Sequence, residues 1–353
     1  MMNDQLYSLI EKLQKERCLS LSEYKYLIGN RCEEAAKILA DAAVGIRKKI
    51  YGSSVFVRGL IEISNICKND CLYCGIRKSN RHCERYRLTE EQILECADEG
   101  YSLGFRTFVL QGGEDGYFTD DVLCRIIGEI KSAHPDCALT LSIGERSRES
   151  YERLHAAGAD RYLLRHETAD KEHYRKLHPE TMSFEERIRC LYDLREIGYQ
   201  VGCGFMVGSP YQTDAALAKD LKFIETFMPD MCGIGPFIPH RETPFSDKAS
   251  GDVELTCYLL SVIRLIHPSV LLPSTTALGT IDPRGREKGI LAGANVVMPN
   301  LSPASVRKKY ELYNDKICTG EESAQCRDSL RQQMRSIGYD IVTDRGDIKH
   351  FNG

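Results

Sequence analysis

The sequence predicts an α/β protein built as a complete (βα)8 TIM barrel with an extension at each end. Eight short apolar runs recur along the chain, at residues 55–63, 106–110, 138–142, 161–165, 201–207, 231–237, 270–272 and 295–298. Nearly all are apolar on both faces, as strands of a helix-covered parallel sheet must be. Amphipathic segments with helix signals lie between them, which gives the strand–helix alternation of an α/β fold. An open doubly wound sheet is the alternative, because the pattern alone does not separate eight strands from six.

Taken in order, residues 1–54 read as an N-terminal helical extension. Leu6, Leu9, Ile10 and Leu13 share one helical face, and residues 32–50 are rich in Ala, Glu and Lys. The barrel is expected over 55–300. Inside it, Thr89-x-x-Gln92 and Ser183-x-x-Glu186 read as capping boxes. Gly104 and Gly198 stand where helices should end. Leu123, Ile126, Ile127 and Ile130 form one apolar stripe, and Ile188, Leu191 and Leu194 another. Residues 301–353 are expected to be a C-terminal extension packing on the barrel.

Composition narrows the function. With 353 residues, 42% hydrophobic and 28% charged, the chain can bury a large core. Length alone suggests two domains, but α/β barrels run past about 250 residues as one unit. A net charge of −4 points to neither nucleic acid nor an anionic membrane as partner. No apolar run approaches the roughly 18–20 residues that span a bilayer. The start, MMNDQLYSLIEKLQKE, is amphipathic and has no apolar signal core, so the expected location is the cytoplasm. Cytosolic thiols stay reduced, so the fifteen cysteines are not read as a disulfide framework. Some should hold a metal and the rest should be small buried hydrophobes; Cys96, Cys190 and Cys203 lie in apolar patterns of that second kind.

In either fold the chemistry sits just after the strands. The first strand is followed by SNICKNDCLYCGIR, which places Cys67, Cys71 and Cys74 at CxxxCxxC spacing. Three thiolates within eight residues suit a 4Fe–4S cluster with one iron open to another ligand. Zinc is the rival, with His82 or Cys83 completing the set. The second strand ends in Gln111, Gly112, Gly113 and Glu114. Two glycines admit close approach of a ligand, and the carboxylate adds an anion beside it.

CxxxCxxC with Tyr73 before the last cysteine, followed one strand later by GGE, resembles the radical S-adenosylmethionine superfamily. Further stretches narrow the match: RYLLRHETA from Arg161, GIGPFIPH from Gly233, STTALGTI from Ser274 and GANVVMPN from Gly293. From about residue 55 to about 320 the chain resembles the HydE family of FeFe-hydrogenase maturases, a relative of biotin synthase and the methylornithine synthase PylB.

The resemblance implies one 4Fe–4S cluster on Cys67, Cys71 and Cys74, with S-adenosylmethionine on the open iron. One electron would split that cofactor to a 5′-deoxyadenosyl radical. The contacts implied for it are Tyr73, Gln111, Gly112, Gly113, Glu114, Ser142, Glu167 and Arg187. Read alone, Arg187 is a solvated helix residue. Arg165, Thr275, Thr276 and Met298 would line the substrate cavity; read alone they are ordinary strand-end groups. Asp115, Tyr310 and Tyr313 are further pocket candidates, and His166 reads as a satisfied core histidine. The implied substrate is a small organometallic species carrying iron, CO, cyanide and cysteinate. The maturase HydG would deliver it, the scaffold HydF would receive the product, and a ferredoxin or flavodoxin would supply electrons. Some members carry an accessory cluster on C-x7-C-x2-C. Here Cys318 and Cys326 keep the first spacing but Ser329 takes the third place, so that cluster is expected to be absent. A lysine mutase like PylB is the alternative enzyme, and an iron–sulfur carrier the non-enzymatic one; biotin synthase fits less well.

Overall fold

The computed structural model describes residues 3–317 and 323–349; the side chains of residues 323–326 lie outside that description. Three helices lead: α1 (Asp4–Glu16), α2 (Leu21–Gly29) and α3 (Glu33–Tyr51). The expected face of α1, Leu6, Leu9, Ile10 and Leu13, is buried. Then follow β1 (Ser54–Val57), β2 (Gly59–Ser64), α4 (Glu90–Ser102), β3 (Thr107–Gly112), α5 (Asp120–Ala133), β4 (Ala138–Ser142), α6 (Arg148–Ala156) and β5 (Arg161–Leu163). The middle contains α7 (Lys171–Leu177), α8 (Phe184–Ile197), β6 (Gln200–Cys203), β7 (Met206–Val207), α9 (Asp214–Phe227), β8 (Met231–Cys232) and β9 (Gly235–Pro236). The chain continues through α10 (Val253–Ile266), α11 (Thr276–Ile281), α12 (Gly285–Leu291), β10 (Val296–Val297), α13 (Ala304–Arg307), α14 (Ser323–Ser336) and β11 (Asp340–Val342).

The strands are parallel. Six pair in the order β2-β3-β4-β5-β6-β8, β1 lies between β10 and β11, and β7 pairs β9. Single bridges join Met231 to Leu271 and Pro273 to Val296. The helices cover the sheet, and Leu110, Leu139, Leu141 and Val201 are fully buried between the layers. Removing each such side chain from water stabilises the fold by roughly 1.5–3 kcal/mol.

Several apolar runs are less regular than their patterns suggest. The first splits at Arg58, whose buried guanidinium turns to the Met231 sulfur at 2.7 Å. The fifth and sixth split where Gly204 meets the Gly233 carbonyl, which lies 2.0 Å from where a Cβ would be. Residues 270–272 form only a bridge, not a named strand. The Thr89 capping box is complete. At Ser183 only half forms, because the Glu186 carboxylate turns to Arg189.

The last described strand was not foreseen. It lies along β1 on the side opposite β10, and the segment behind it reaches the amino-terminal ends of the strands. There Asp347 pairs with Arg161 at 2.6 Å and Arg345 with Asp160 at 3.2 Å. Among the described residues no helix is long and apolar enough to cross a membrane. The described cysteines are free, and Cys96, Cys190 and Cys203 are buried as expected.

Candidate active site

The loop after β2 has little regular structure, yet its backbone is tied down. The Arg85 guanidinium donates to the carbonyls of Asn65, Ile76, Arg77 and Asn80. The Asn65 side chain crosses to Tyr86, Glu84 and Lys309. Asp70 accepts from Arg77 and Ser79. These ties close the loop that carries Cys67, Cys71 and Cys74.

The Cys67 sulfur accepts backbone N–H groups from Asn69 and Glu114, each at 3.4 Å. Cys71 lies 3.6 Å from the Met182 sulfur. Burial, then the charge of neighbouring thiolates, pushes Cys74 up to about 12 and Cys71 well above the usual thiol range. Burial also raises Cys67. The thiols therefore stay protonated until a bound cation draws them into the thiolate form. Among the described residues, no three Cys, His, Asp or Glu side chains converge to hold a single metal ion. A cubane spaces its thiolates more widely, since each binds its own iron. Cys83 faces the Asn65 amide instead, and His82 faces Glu242.

Glu114 bends into the site where Gly144, at φ 83°, leaves room; a Cβ there would sit 2.1 Å from the Glu114 side chain. Its Oε1 accepts from Glu145 N–H, and its Oε2 has only an ion pair with Lys68 at 3.0 Å. Gly113 packs on the triad loop, its missing Cβ 2.3 Å from the Ile66 carbonyl oxygen. A cavity of about 230 Å³ opens beside this turn, lined by Lys68, Gly113, Glu114, Glu145 and Arg146 among others. Gln111 donates to the Tyr310 hydroxyl at 3.3 Å. The Asp115 carboxylate is taken up by Arg87, Ser64 and the Tyr117 N–H, which makes it a brace for the turn. Tyr313 is half-buried in the segment after α13.

Ser142 ends β4 in register with Gln111. After β5, Glu167 adopts φ 64°, and its Oε2 is buried without a hydrogen bond, 3.1 Å from Arg165. Arg187 is buried; it donates to Glu145 and, at 2.7 Å, to the Arg165 carbonyl. Burial alone would weaken its hold on the proton, but Tyr174 and Glu145 reverse that and keep it charged. This is not a solvated helix residue. The Tyr73 hydroxyl meets His178 Nε2 at 3.2 Å, and His178 Nδ1 donates to the Tyr174 carbonyl at 3.0 Å.

Thr275 caps α11 with its hydroxyl buried and unpartnered against Gly235. Thr276 opens that helix. Met298 packs in a separate apolar cluster with Tyr51, Phe56, Met231, Leu271 and Val296. His166 is fully buried as a core histidine should be, but only its Nδ1 is satisfied; its Nε2 makes no hydrogen bond. Cys318 and the Cys326 side chain lie outside the described residues, and Ser329 is exposed on α14.

The donor set fits an iron–sulfur cluster with an amino-acid-bearing nucleoside beside it. Beside three free thiols stand Glu114, Glu167 and Arg165, each with a buried polar atom that makes no hydrogen bond. The Radical SAM superfamily pattern matches residues 61–224. Over 97% of both chains, the sequence is 45% identical to the FeFe hydrogenase maturase subunit HydE of Thermotoga maritima. The chain belongs to the HydE family of radical S-adenosylmethionine enzymes. It is therefore an enzyme, and its family uses a 4Fe–4S cluster and S-adenosylmethionine. The fold superposes on methylornithine synthase PylB with a TM-score of 0.81 and 26% identity, covering 95% of this chain and 97% of that one. The maturase HydG shares the fold at TM-score 0.78 and 21% identity, over 96% of this chain and 76% of that one.

Proposed function

We propose that this chain is a hydrogenase maturase whose cluster sits on Cys67, Cys71 and Cys74. What supports this reading is that the thiol loop follows β2, Glu114 follows β3 and Glu167 follows β5 in one parallel sheet, with Arg187 of α8 bonded to the Arg165 carbonyl beside Glu167. With the cofactor bound, the cluster would supply one electron to S-adenosylmethionine, whose S–C5′ bond would break to methionine and a 5′-deoxyadenosyl radical.

The chain's own residues do the rest. Glu114, whose Oε2 makes no hydrogen bond, would accept from the methionine ammonium. Arg187 is positioned to face its carboxylate, a charge-assisted contact. Glu167 and Ser142 take the ribose hydroxyls, and Tyr73 and the glycines close on the nucleoside. Leu72, Tyr73, Leu177, Met206, Phe237 and Phe245 pack as one apolar cluster that excludes water from a reactive radical. Arg165, Thr275 and Thr276 receive the polar groups of the substrate, and Met298 contributes to the cavity wall.

The bridges at Met231–Leu271 and Pro273–Val296, with β10 beside β1, support closure of the sheet into a complete barrel. In this reading residues 1–54 and 301–353 are extensions of a 55–300 barrel, and the enzyme works in the cytoplasm. The substrate is the organometallic iron–CO–cyanide–cysteinate species, received from HydG and passed toward HydF. The electron donor is a ferredoxin or flavodoxin, and no accessory cluster is carried.

The test is activation of apo-hydrogenase by this protein with the other two maturases. Activation is the expected result; failure with a fully reconstituted cluster contradicts the assignment. The likeness to PylB favours a lysine mutase as the second reading, and product analysis with lysine separates the two.

A further inference from the structure

Glu167 stands in a left-handed conformation that a non-glycine residue keeps only where its surroundings hold it. Its N–H donates to the Gly204 carbonyl at 3.0 Å, and Arg187 holds the Arg165 carbonyl. The far end of the turn is held from α9. Asp220 Oδ1 accepts the Ala169 N–H at 2.5 Å and lies 3.4 Å from His166 Nε2, which makes no hydrogen bond. His166 Nδ1 accepts from the Gly204 N–H, so the ring proton sits on Nε2 and faces Asp220.

Asp220 is an unusual choice for this place. Its neighbours on the buried face of α9 are Ala216, Leu217, Leu221 and Ile224. Its side chain is 0% exposed, its Oδ2 has no partner, and the adjacent Lys219 pairs with Asp170 instead. A buried carboxyl without a cation is costly, so its contacts must return something.

We propose that Asp220 is a positioning residue for the S-adenosylmethionine site, holding the Glu167 turn through the Ala169 N–H. This rests on Glu167 being a contact of that cofactor. What the turn needs is an acceptor oxygen. Asn at this position supplies one, and Ala does not.

The experiment is calorimetric titration of the reconstituted holoenzyme with S-adenosylmethionine, alongside hydrogen exchange of residues 165–169. Asp220→Ala is expected to weaken binding roughly tenfold and to deprotect the Ala169 amide. Asp220→Asn should stay within about twofold of the parent, since its amide oxygen replaces the lost acceptor. Equal loss in both variants, or parent-like binding in Asp220→Ala, overturns the proposal. Glu167→Ala separates the two ideas. If it too binds like the parent, the reading of Glu167 fails and the proposal falls with it. If it weakens binding while Asp220→Ala does not, only the positioning role fails. Should Asp220→Ala not fold, Asp220→Leu decides. It keeps a side chain of similar size on the buried face of α9 and removes the acceptor. Roughly tenfold weaker binding is then expected, and parent-like affinity overturns the proposal.

Discussion

Arg187 shows how much a single side chain can carry. It is buried, permanently charged, and forks between a carboxylate and a carbonyl. Lysine keeps the charge but loses the planar fork, so the exchange is not conservative here. Arg187→Lys is expected to raise the KM for S-adenosylmethionine about tenfold, read as 5′-deoxyadenosine formation. An unchanged KM would remove Arg187 from the cofactor site. Residue types were legible at the triad and at GGE because the spacing is local. The braces were not legible. Nothing in the sequence near Asp115 names Arg87 as its partner, and His178 and Asp220 reach the site from helices far along the chain.

Helix starts were the best-read elements, since a cap is decided by four consecutive residues. Thr89 and Gln92 bond reciprocally as their spacing requires. Thr89→Ala is expected to cost about 1 kcal/mol, measurable as a lower urea midpoint with unchanged slope. Ser183 shows the limit of the same rule, because a competing arginine three residues further on takes the glutamate. Strand ends were read less well. Alternation of apolar residues does not reveal where two glycines bring backbones together, as at Gly204 and Gly233.

Across the whole molecule, contacts distant in sequence decide stability, and these were the least legible. Arg161 lies in an apolar run and is fully buried, and its acid, Asp347, comes 186 residues later. Asp347→Ala is expected to cost about 2 kcal/mol. That is below the range for a fully buried pair because the Asp347 side chain is 43% exposed.

His267, after α10, adds a pH dependence. Burial, then the charge of Arg264, lowers it from 6.5 to about 4. The unfolded chain therefore binds the proton more readily. Stability from this group is complete above about pH 6.5 and is lost as the pH falls toward 4. His267→Gln is expected to reduce that slope by about 1.4 kcal/mol per pH unit in urea titrations across the window. An unaltered slope would mean that His267 is not held neutral by the fold.

The placement of one redox cluster and its cofactor at the strand ends is tested most directly by reductive cleavage after anaerobic reconstitution. The parent protein should bind about four irons per chain and release 5′-deoxyadenosine and methionine on reduction. Cys67→Ala, Cys71→Ala and Cys74→Ala should each release none. Cleavage that survives any of these changes, or its absence from a fully reconstituted parent protein, would contradict that placement.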